Sequence, residues 1–168
     1  SYDTTFDLLG RPVNATDSQS LARSYLYNRR NELAAATIGT NAYEYAYDTI
    51  GNRTVASANS VTNTYAANNL NQYTQIDASQ LTYDNDGNLT QDDRFAYTYD
   101  AENRLVTVRP ISPTEGALAV VNAYDHKHRR VGKSVERFDG EEWQTLETHT
   151  FVYDGGHIVL EKIALSDG

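Results

Sequence analysis

The feature of this sequence that most constrains its fold is an aromatic residue followed by Asp or Asn, which recurs along the whole chain. A degenerate copy at position 65 completes the series of pairs: Phe6-Asp7, Tyr27-Asn28, Tyr47-Asp48, Tyr65-Ala66, Tyr83-Asp84, Tyr99-Asp100, Tyr124-Asp125 and Tyr153-Asp154. Successive copies are separated by 21, 20, 18, 18, 16, 25 and 29 residues. A recurring spacing of this kind indicates a repeat architecture. Residues 1–168 are therefore expected to form a single array with insertions in its last two units.

A second position supports this alignment, because the alignment does not depend on it. The residues four places after each aromatic are Gly10, Asn31, Gly51, Asn69, Gly87, Asn103, His128 and His157. All eight are Gly, Asn or His, although these types make up only 28 of the 168 residues. They tolerate a positive φ readily, and an Asp or Asn before them can accept backbone hydrogen bonds and close an Asx turn. Each unit is predicted to be a strand, an aromatic anchor, an Asx turn, a left-handed residue and another strand.

The strands themselves show period-two alternation. Residues 43–47 and 95–99 alternate aromatic and non-aromatic side chains and end at an anchor, as strands do. Tyrosine dominates the aromatic residues, with 13 Tyr against 4 Phe and 1 Trp, and it suits a sheet face that is partly wet. The predicted fold is all-β, with tandem β-hairpins forming a curved, twisted antiparallel sheet. Residues 31–37 could instead form a short helix, but their place in the repeat favours a strand.

Two insertions interrupt the period. The first, about residues 109–116, contains Pro110 and Pro113 and is predicted to be a surface loop. The second, about residues 131–152, surrounds Asp139-Gly140, which indicates a two-residue hairpin turn. This segment is predicted to be a longer hairpin with Trp143 near its tip.

Several units resemble a known repeat. Residues 47–53, 83–89 and 99–105 resemble the YD repeat of bacterial RHS proteins, and residues 68–73 resemble an Asn-Leu-Asn-Gln-Tyr signature of that family. The resemblance covers nearly the whole chain. It implies a ribbon of hairpins that spirals, in full-length RHS and toxin-complex proteins, into a hollow shell around a C-terminal toxin. In animal teneurins a similar shell belongs to an adhesion protein.

The resemblance also implies what this chain does. It is expected to be a non-catalytic strip of shell wall that encapsulates or displays a polypeptide, and its source is expected to be bacterial, secreted or at the cell surface. The Asp-Pro self-cleavage motif of toxin-bearing members is absent from the sequence, so no processing activity is expected of it. No signal peptide begins the sequence, which opens within the repeat at Ser1-Tyr2.

Composition argues against several classes of function. The net charge is −9, which disfavours nucleic-acid binding, and the cluster of Lys127, Arg129 and Arg130 is expected to be a solvated strand end. The chain has no cysteine, so disulfides and thiolate metal sites are excluded. No apolar stretch is long enough to span a bilayer as a helix.

No catalytic, cofactor or metal residues are expected. Residues 84–88 look like the start of a calcium loop, but Leu89 stands where such a loop needs Gly. His126 and His128 share a strand face at best, beside two cations. The site residues are therefore structural turn residues: Phe6, Asp7, Gly10, Tyr27, Asn28, Asn31, Tyr47, Asp48, Gly51, Tyr83, Asp84, Gly87, Tyr99, Asp100, Asn103, Tyr124, Asp125, Tyr153 and Asp154.

The expected partners follow from the same reasoning. They are further YD repeats of the parent chain and an encapsulated toxin or a cell-surface glycan or protein, with no cofactor and no nucleic acid. An alternative function is a cell-surface adhesion module that recognises glycan or protein through a Tyr/Asn-rich sheet face. The isolated chain is expected either to self-associate through its open sheet edges or to curl so that its terminal hairpins cover those edges.

Overall fold

A computed structural model describes residues 3–166 of the chain and shows an all-β protein, which confirms the predicted fold class. Ser1 and Tyr2, where the sequence opens within the repeat, lie outside the described residues. The described residues contain 17 strands and no helix, so none of them belongs to a helix that could span a membrane. The segment that could have formed a short helix instead contains the strand Leu33–Ile38.

The first sheet has nine strands in the order of the sequence. They are β1 (Asp3–Phe6), β2 (Pro12–Thr16), β3 (Ala22–Tyr27), β4 (Leu33–Ile38), β5 (Asn41–Tyr47), β6 (Arg53–Ala58), β7 (Val61–Ala67), β8 (Tyr73–Ile76) and β9 (Ser79–Gln80). The pairings from β1 to β8 are antiparallel. In a meander of this kind, every second turn lies at the same end of the strands.

The second sheet has eight strands, again in the order of the sequence. They are β10 (Thr82–Tyr83), β11 (Leu89–Gln91), β12 (Phe95–Tyr99), β13 (Leu105–Pro110), β14 (Leu118–Tyr124), β15 (Arg130–Phe138), β16 (Trp143–Asp154) and β17 (His157–Leu165). All of its pairings are antiparallel.

The chain divides into two compact units, Ser1–Ala78 and Ser79–Gly168. The division falls at the last hairpin of the first sheet. A single array over residues 1–168, which the sequence predicts, stays a prediction. Each unit is described by itself below.

The bounds of the two insertions differ from those of the sequence prediction. Arg109 and Pro110 end strand β13, and the loop occupies residues 111–117. The long hairpin consists of β15 and β16, with Trp143 directly opposite Phe138 beside the turn. That turn has four residues, 139–142, because the Asp139 carboxylate accepts hydrogen bonds from the N–H groups of Glu141 and Glu142.

Burial within each unit is slight, since few of the side chains in residues 3–166 are buried. In the first unit Ala36 is 7% exposed and lies between Tyr25 and Tyr43 on the neighbouring strands. In the second unit Ala119 is 1% exposed, and the Arg109–Glu136 ion pair joins the strands on either side of it. Large rings and long side chains thus cover small ones on the same face.

A β-bulge marks each repeat. The register shifts where each strand reaches its anchor, at Phe6, Tyr27, Tyr47, Ala67, Tyr83, Tyr99, Tyr124 and Tyr153. An extra residue at this point increases the local twist and directs the chain into the turn that follows. The bulges therefore set where the turn residues lie.

Candidate functional site

The candidate site in each unit is a row of five-residue turns, and we name these turns the turn ladder. It consists of residues 7–11, 28–32, 48–52 and 68–72 in the first unit and residues 84–88, 100–104 and 125–129 in the second. Within each unit these turns lie at the same end of the strands, because each follows an odd-numbered strand of the first sheet or an even-numbered strand of the second.

The turn at residues 48–52 shows the geometry of a single step. Asp48 Oδ1 accepts hydrogen bonds from the backbone N–H groups of Ile50 at 3.0 Å and Asn52 at 2.8 Å. The Asp48 N–H donates to the Asn52 carbonyl at 2.8 Å. Gly51 has a φ of 96°, in the region that L-residues rarely adopt. The same pattern recurs at Asp7, Asn28, Asn68, Asp84, Asp100 and Asp125.

The last residue of each turn is chemically matched to the first. Where the turn begins with Asp, it ends with the donors Arg11, Asn52, Asn88, Arg104 and Arg129, whose side chains donate to the Asp Oδ2 at 2.7, 2.9, 3.0, 2.7 and 2.8 Å. Where it begins with Asn, the roles reverse. Asn28 donates to Glu32 at 2.5 Å, and Asn68 donates to Gln72 at 2.8 Å. Each turn is therefore closed by a side-chain pair as well as by backbone bonds.

The same terminal residues reach the following turn. In the first unit Arg11 donates to Asn31 Oδ1 at 2.7 Å, and Asn52 donates to Asn71 Oδ1 at 3.2 Å. In the second unit the links are Asn88 to Asn103 Oδ1 at 2.8 Å, Arg104 to the Asp125 carbonyl at 2.9 Å and Arg129 to the Gly155 carbonyl at 2.6 Å. Side chains at this end of the strands thus join hairpins that are already paired by backbone hydrogen bonds between their strands.

The aromatic anchors make a further link between repeats. The hydroxyls of Tyr27, Tyr47, Tyr124 and Tyr153 donate to the carbonyl of the residue just after the preceding turn: Pro12, Leu33, Leu105 and Arg130, at 3.1, 2.9, 3.0 and 3.0 Å. Arg11, Arg104 and Arg129 lie over the rings of Tyr27, Tyr124 and Tyr153, at 4.6, 5.1 and 4.8 Å from the ring centroids. A guanidinium over an aromatic face adds a cation–π attraction to its ion pair.

The turn carboxylates are held in their ionised form. Burial favours the neutral acid at Asp125, but hydrogen bonds from the side chain and N–H of Arg129 and from the N–H of Lys127 outweigh it and lower the pKa to about 2. The pKa of Asp7 is lowered first by the backbone N–H of Arg11 and then by its guanidinium. Hydrogen bonds to the charged form are the cause in each case.

Two units depart from the predicted pattern. In the degenerate unit the left-handed residue is Asn71, with a φ of 61°, and the expectation for Asn69 is wrong. The frame is shifted because Asn68, unlike Ala66, can accept the turn hydrogen bonds. The anchor position is then Ala67, and the rings of Tyr65 and Tyr73 pack 5.4 Å apart nearby.

The last unit also differs. Asp154 lies at the end of β16 and pairs with His157 across a two-residue turn. The left-handed residue there is Gly155, with a φ of 57°, so the expectation for His157 is wrong. Two consecutive glycines adopt a tight hairpin turn without an Asx carboxylate. Tyr153 nevertheless keeps the anchor hydrogen bond to Arg130.

The other predicted left-handed positions have a positive φ. Gly10, Asn31, Gly87, Asn103 and His128 have φ values of 76°, 66°, 87°, 59° and 59°. Among residues 3–166 the structure has no group of three or more His, Asp or Glu side chains arranged to hold a metal ion. Residues 84–88, which look like the start of a calcium loop, form a turn of the ladder. The Asp84 carboxylate there accepts hydrogen bonds from the N–H and the side chain of Asn88.

The terminal turn residues, such as Arg11, Asn52 and Arg129, were not identified from the sequence. The signal for them is present, because Asp is followed four places later by Arg or Asn, whereas Asn is followed by Glu or Gln. The matched pair becomes meaningful only when the turn geometry brings both side chains together.

Comparisons with known proteins agree with this architecture. The sequence model of the Teneurin YD-shell family matches residues 1–146. The tRNA3(Ser)-specific nuclease WapA of Bacillus spizizenii and the tRNA nuclease WapA of Bacillus subtilis are each 36% identical to this chain over 115 residues. The match covers 65% of this chain, and the chain spans about 5% of the length of these relatives.

Solved structures show the same fold. The crystal structure of TcdB2-TccC3-Cdc42 aligns with 98% of this chain and 9% of its own chain, at a TM-score of 0.57 and 15% identity. The crystal structure of TcdB2-TccC3 without its hypervariable C-terminal region aligns with 99% of this chain and 9% of its own, at a TM-score of 0.58 and 15% identity.

Proposed function

Because the chain belongs to the Teneurin YD-shell family, we propose that it is a non-catalytic segment of a YD-repeat β-shell. The shell encapsulates or displays a polypeptide, such as a C-terminal toxin, outside the cell. The observation that carries this proposal is the turn ladder, in which side chains such as Arg11 and Arg104 bind one hairpin to the next.

The ladder suits the wall of a shell for a physical reason. Few side chains are buried in either unit, so a thick hydrophobic core is not what holds the hairpins together. In repeat proteins the stability comes from contacts between neighbouring repeats. The links between successive turns add such contacts at one end of the strands, and a thin wall held in this way can enclose a space.

The relatives' nuclease activity belongs, in our proposal, to other parts of those proteins. The matched segment is about 5% of their length. In this chain the carboxylates that could take part in chemistry, such as Asp100 and Asp125, are used to close turns. The purified chain is expected to leave tRNA intact. Cleavage of tRNA that persists after the purification tag and the buffer have been changed would contradict a purely structural role.

A glycan-binding or protein-binding surface is the alternative. Four tyrosine hydroxyls, on Tyr27, Tyr47, Tyr124 and Tyr153, are engaged by backbone carbonyls. Those hydroxyls have less capacity left for a ligand, so this observation favours the structural role. A glycan array with the folded chain tests the alternative directly.

The encapsulation proposal is tested on the parent protein. The parent is purified intact, and its native size is compared with its bands on a denaturing gel. One native particle that separates into a large core and a small C-terminal piece supports a shell that holds its cargo. A single uncut polypeptide whose C-terminal region is digested as fast as a free peptide contradicts encapsulation.

A paired substitution sharpens this test. In the parent, Arg11→Ala removes the bonds to Asp7 and Asn31 and the stacking on Tyr27. Arg29→Ala removes the same charge from an exposed position at the tip of the neighbouring turn. Protease access to the enclosed segment is expected to rise with Arg11→Ala and to stay unchanged with Arg29→Ala. Equal effects would show that the turn ladder does not hold the wall.

A further inference from the structure

The last strand of the second sheet, β17, is bonded to the sheet along one side only. Within the described residues it is the edge strand, paired with β16. All nine of its residues are exposed, including Val159 at 60% and Ile163 at 57%. An edge strand with so little burial opens at a low free-energy cost. A side-chain link to β16 therefore has a large effect on how firmly β17 is held.

His149 on β16 makes such a link. Its side chain is 9% exposed, although it is a titratable group on a sheet with little burial. Nδ1 lies 2.6 Å from Glu161 Oε1 on β17, and Nε2 lies 3.0 Å from Glu147 Oε1 on β16. The ring thus bridges two carboxylates, one on each strand of the terminal hairpin.

Groups on the adjacent strands complete the surroundings of the imidazole. On β15, Lys133 is directly opposite His149, and on β17 the opposite residue is the apolar Ile163. On β16 itself the ring of Phe151 stacks with the imidazole at 6.3 Å between centroids, and Arg130 lies 5.0 Å from the centroid of the Phe151 ring. Two carboxylates and one ammonium group therefore act on its charge most directly.

The protonation state decides whether both contacts are favourable. A protonated imidazole has two N–H donors and can serve both carboxylates, whereas a neutral imidazole has one donor and one lone pair. In the neutral form, one carboxylate must face a lone pair or turn away. The Glu161 side chain is 45% exposed and that of Glu147 is 29% exposed, so Glu161 turns to water more easily.

We propose that His149 is a proton-dependent clamp, which holds β17 to β16 more firmly when the imidazole is protonated than when it is neutral. In the neutral form β17 separates from β16 more often, although the backbone pairing of the two strands remains.

The direction of the pH effect follows from the surroundings. Hydrogen bonds to Glu147 and then to Glu161 raise the pKa of His149 above its ordinary value of 6.5, although burial and Lys133 oppose the shift. A raised pKa in the folded state means that the clamp contributes fully at pH values below 6.5. Its contribution is lost as the pH rises through the folded-state pKa.

Amide hydrogen exchange across β17 tests the proposal. Exchange is followed by NMR from about pH 5.5 to about pH 8.5 and divided by the intrinsic exchange rate at each pH. In the same samples the ring nitrogens of His149 are observed, which gives their protonation directly. Corrected opening of residues 158–165 is expected to increase several-fold in step with loss of the imidazole proton.

Three variants make the result decisive. His149→Gln and Glu161→Gln each remove one titrating partner of the clamp, and the increase of β17 opening with pH is expected to disappear in both. His126→Gln is the matched control, because His126 is exposed in a turn of the same sheet and its loss leaves the clamp intact. If His149→Gln fails to fold, Glu161→Gln gives the same readout. Equal pH profiles in wild type and Glu161→Gln would overturn the proposal.

Discussion

At the scale of single residues, the turn ladder depends on matched donors and acceptors rather than on any one residue type. Asp125 accepts from Arg129, whereas Asn68 donates to Gln72 in the same geometry. The two solutions are chemically inverse and occur in one chain. The requirement is therefore complementarity between the first and last residues of a turn.

An exchange of one solution for the other tests this requirement. Asp125→Asn and Arg129→Glu are each expected to lower the melting temperature by a few degrees, because the first leaves two donors facing each other and the second leaves two carboxylates facing each other. The double variant recreates the Asn28–Glu32 pairing and is expected to recover part of the loss. Thermal unfolding of the four proteins gives the coupling. Losses that simply add would show that the two side chains do not act as a pair.

The left-handed positions allow a second test at this scale. Gly51→Val is expected to lower the free energy of unfolding by about 1–3 kcal/mol, because valine is strained at a φ of 96°. Asn69→Val is expected to have little effect, because Asn71 and not Asn69 has the positive φ in its turn. Urea unfolding of both variants measures the difference. Equal losses would contradict an account based on backbone strain.

The sequence predicted the residues that form the turns, but it did not predict the terminal turn residues that link one turn to the next. The Asx residues and most left-handed positions follow from spacing, because a turn is a local structure. Asn71 was missed because Tyr65 suggested a frame that Ala66 cannot support. The link from Arg11 to Asn31 was missed because its geometry depends on strand register and on the bulge at Tyr27.

At the scale of elements, the turns respond to acid as a group. The carboxylates of Asp7, Asp48, Asp84, Asp100 and Asp125 all have a lowered pKa, since each accepts several hydrogen bonds. The stability that comes from a lowered pKa is present above the ordinary value of 3.8 and is lost as the pH falls towards the folded-state value.

Acid unfolding is the corresponding measurement. The wild-type chain is expected to lose stability as the pH falls from 3.8 towards about 2, the folded-state pKa of Asp125. Asp125→Asn is expected to show a smaller loss over the same range, although it is less stable than wild type at neutral pH. Urea titrations at several pH values provide the comparison. Parallel curves for the two proteins would assign the acid sensitivity to other groups.

Strand existence was easier to predict than strand bounds. The alternation at residues 43–47 and 95–99 gave β5 and β12, because a half-buried strand needs a period of two. The turn after Phe138 was expected to have two residues, but the Asp139 carboxylate captures two further N–H groups and lengthens it. Asp-Gly indicates that a turn is present, but the length of the turn depends on which N–H groups bond to the Asp carboxylate.

At the scale of the whole chain, we expect an exposed strand at the end of a sheet to govern how the isolated chain behaves in solution. β17 combines an open backbone edge with exposed aliphatic side chains such as Ile163 and Leu165. Sheet edges of this kind pair readily with other strands. The sequence gives no account of where the array divides, since residues 78 and 79 lie within otherwise regular repeats.

Self-association of the isolated chain is therefore expected to depend on this edge. Light scattering should show oligomers at high protein concentration, and Ile163→Lys should reduce them, because charged side chains on an edge strand oppose pairing. Val61→Lys is the control, since Val61 is 69% exposed but lies on β7, which has neighbours on both sides. A monomeric wild-type chain, or equal effects of the two substitutions, would contradict this expectation.

The five side-chain links from one turn to the next all have their donor on the earlier turn. Arg11, Asn52, Asn88, Arg104 and Arg129 each donate to a turn that lies later in the sequence. During synthesis, a completed hairpin thus already carries a side-chain hydrogen-bond donor for the hairpin that is made next. Growth by such stepwise addition needs only nearby contacts, which form quickly, so a long array of this design can be assembled from its first repeat onward while the rest is still being made.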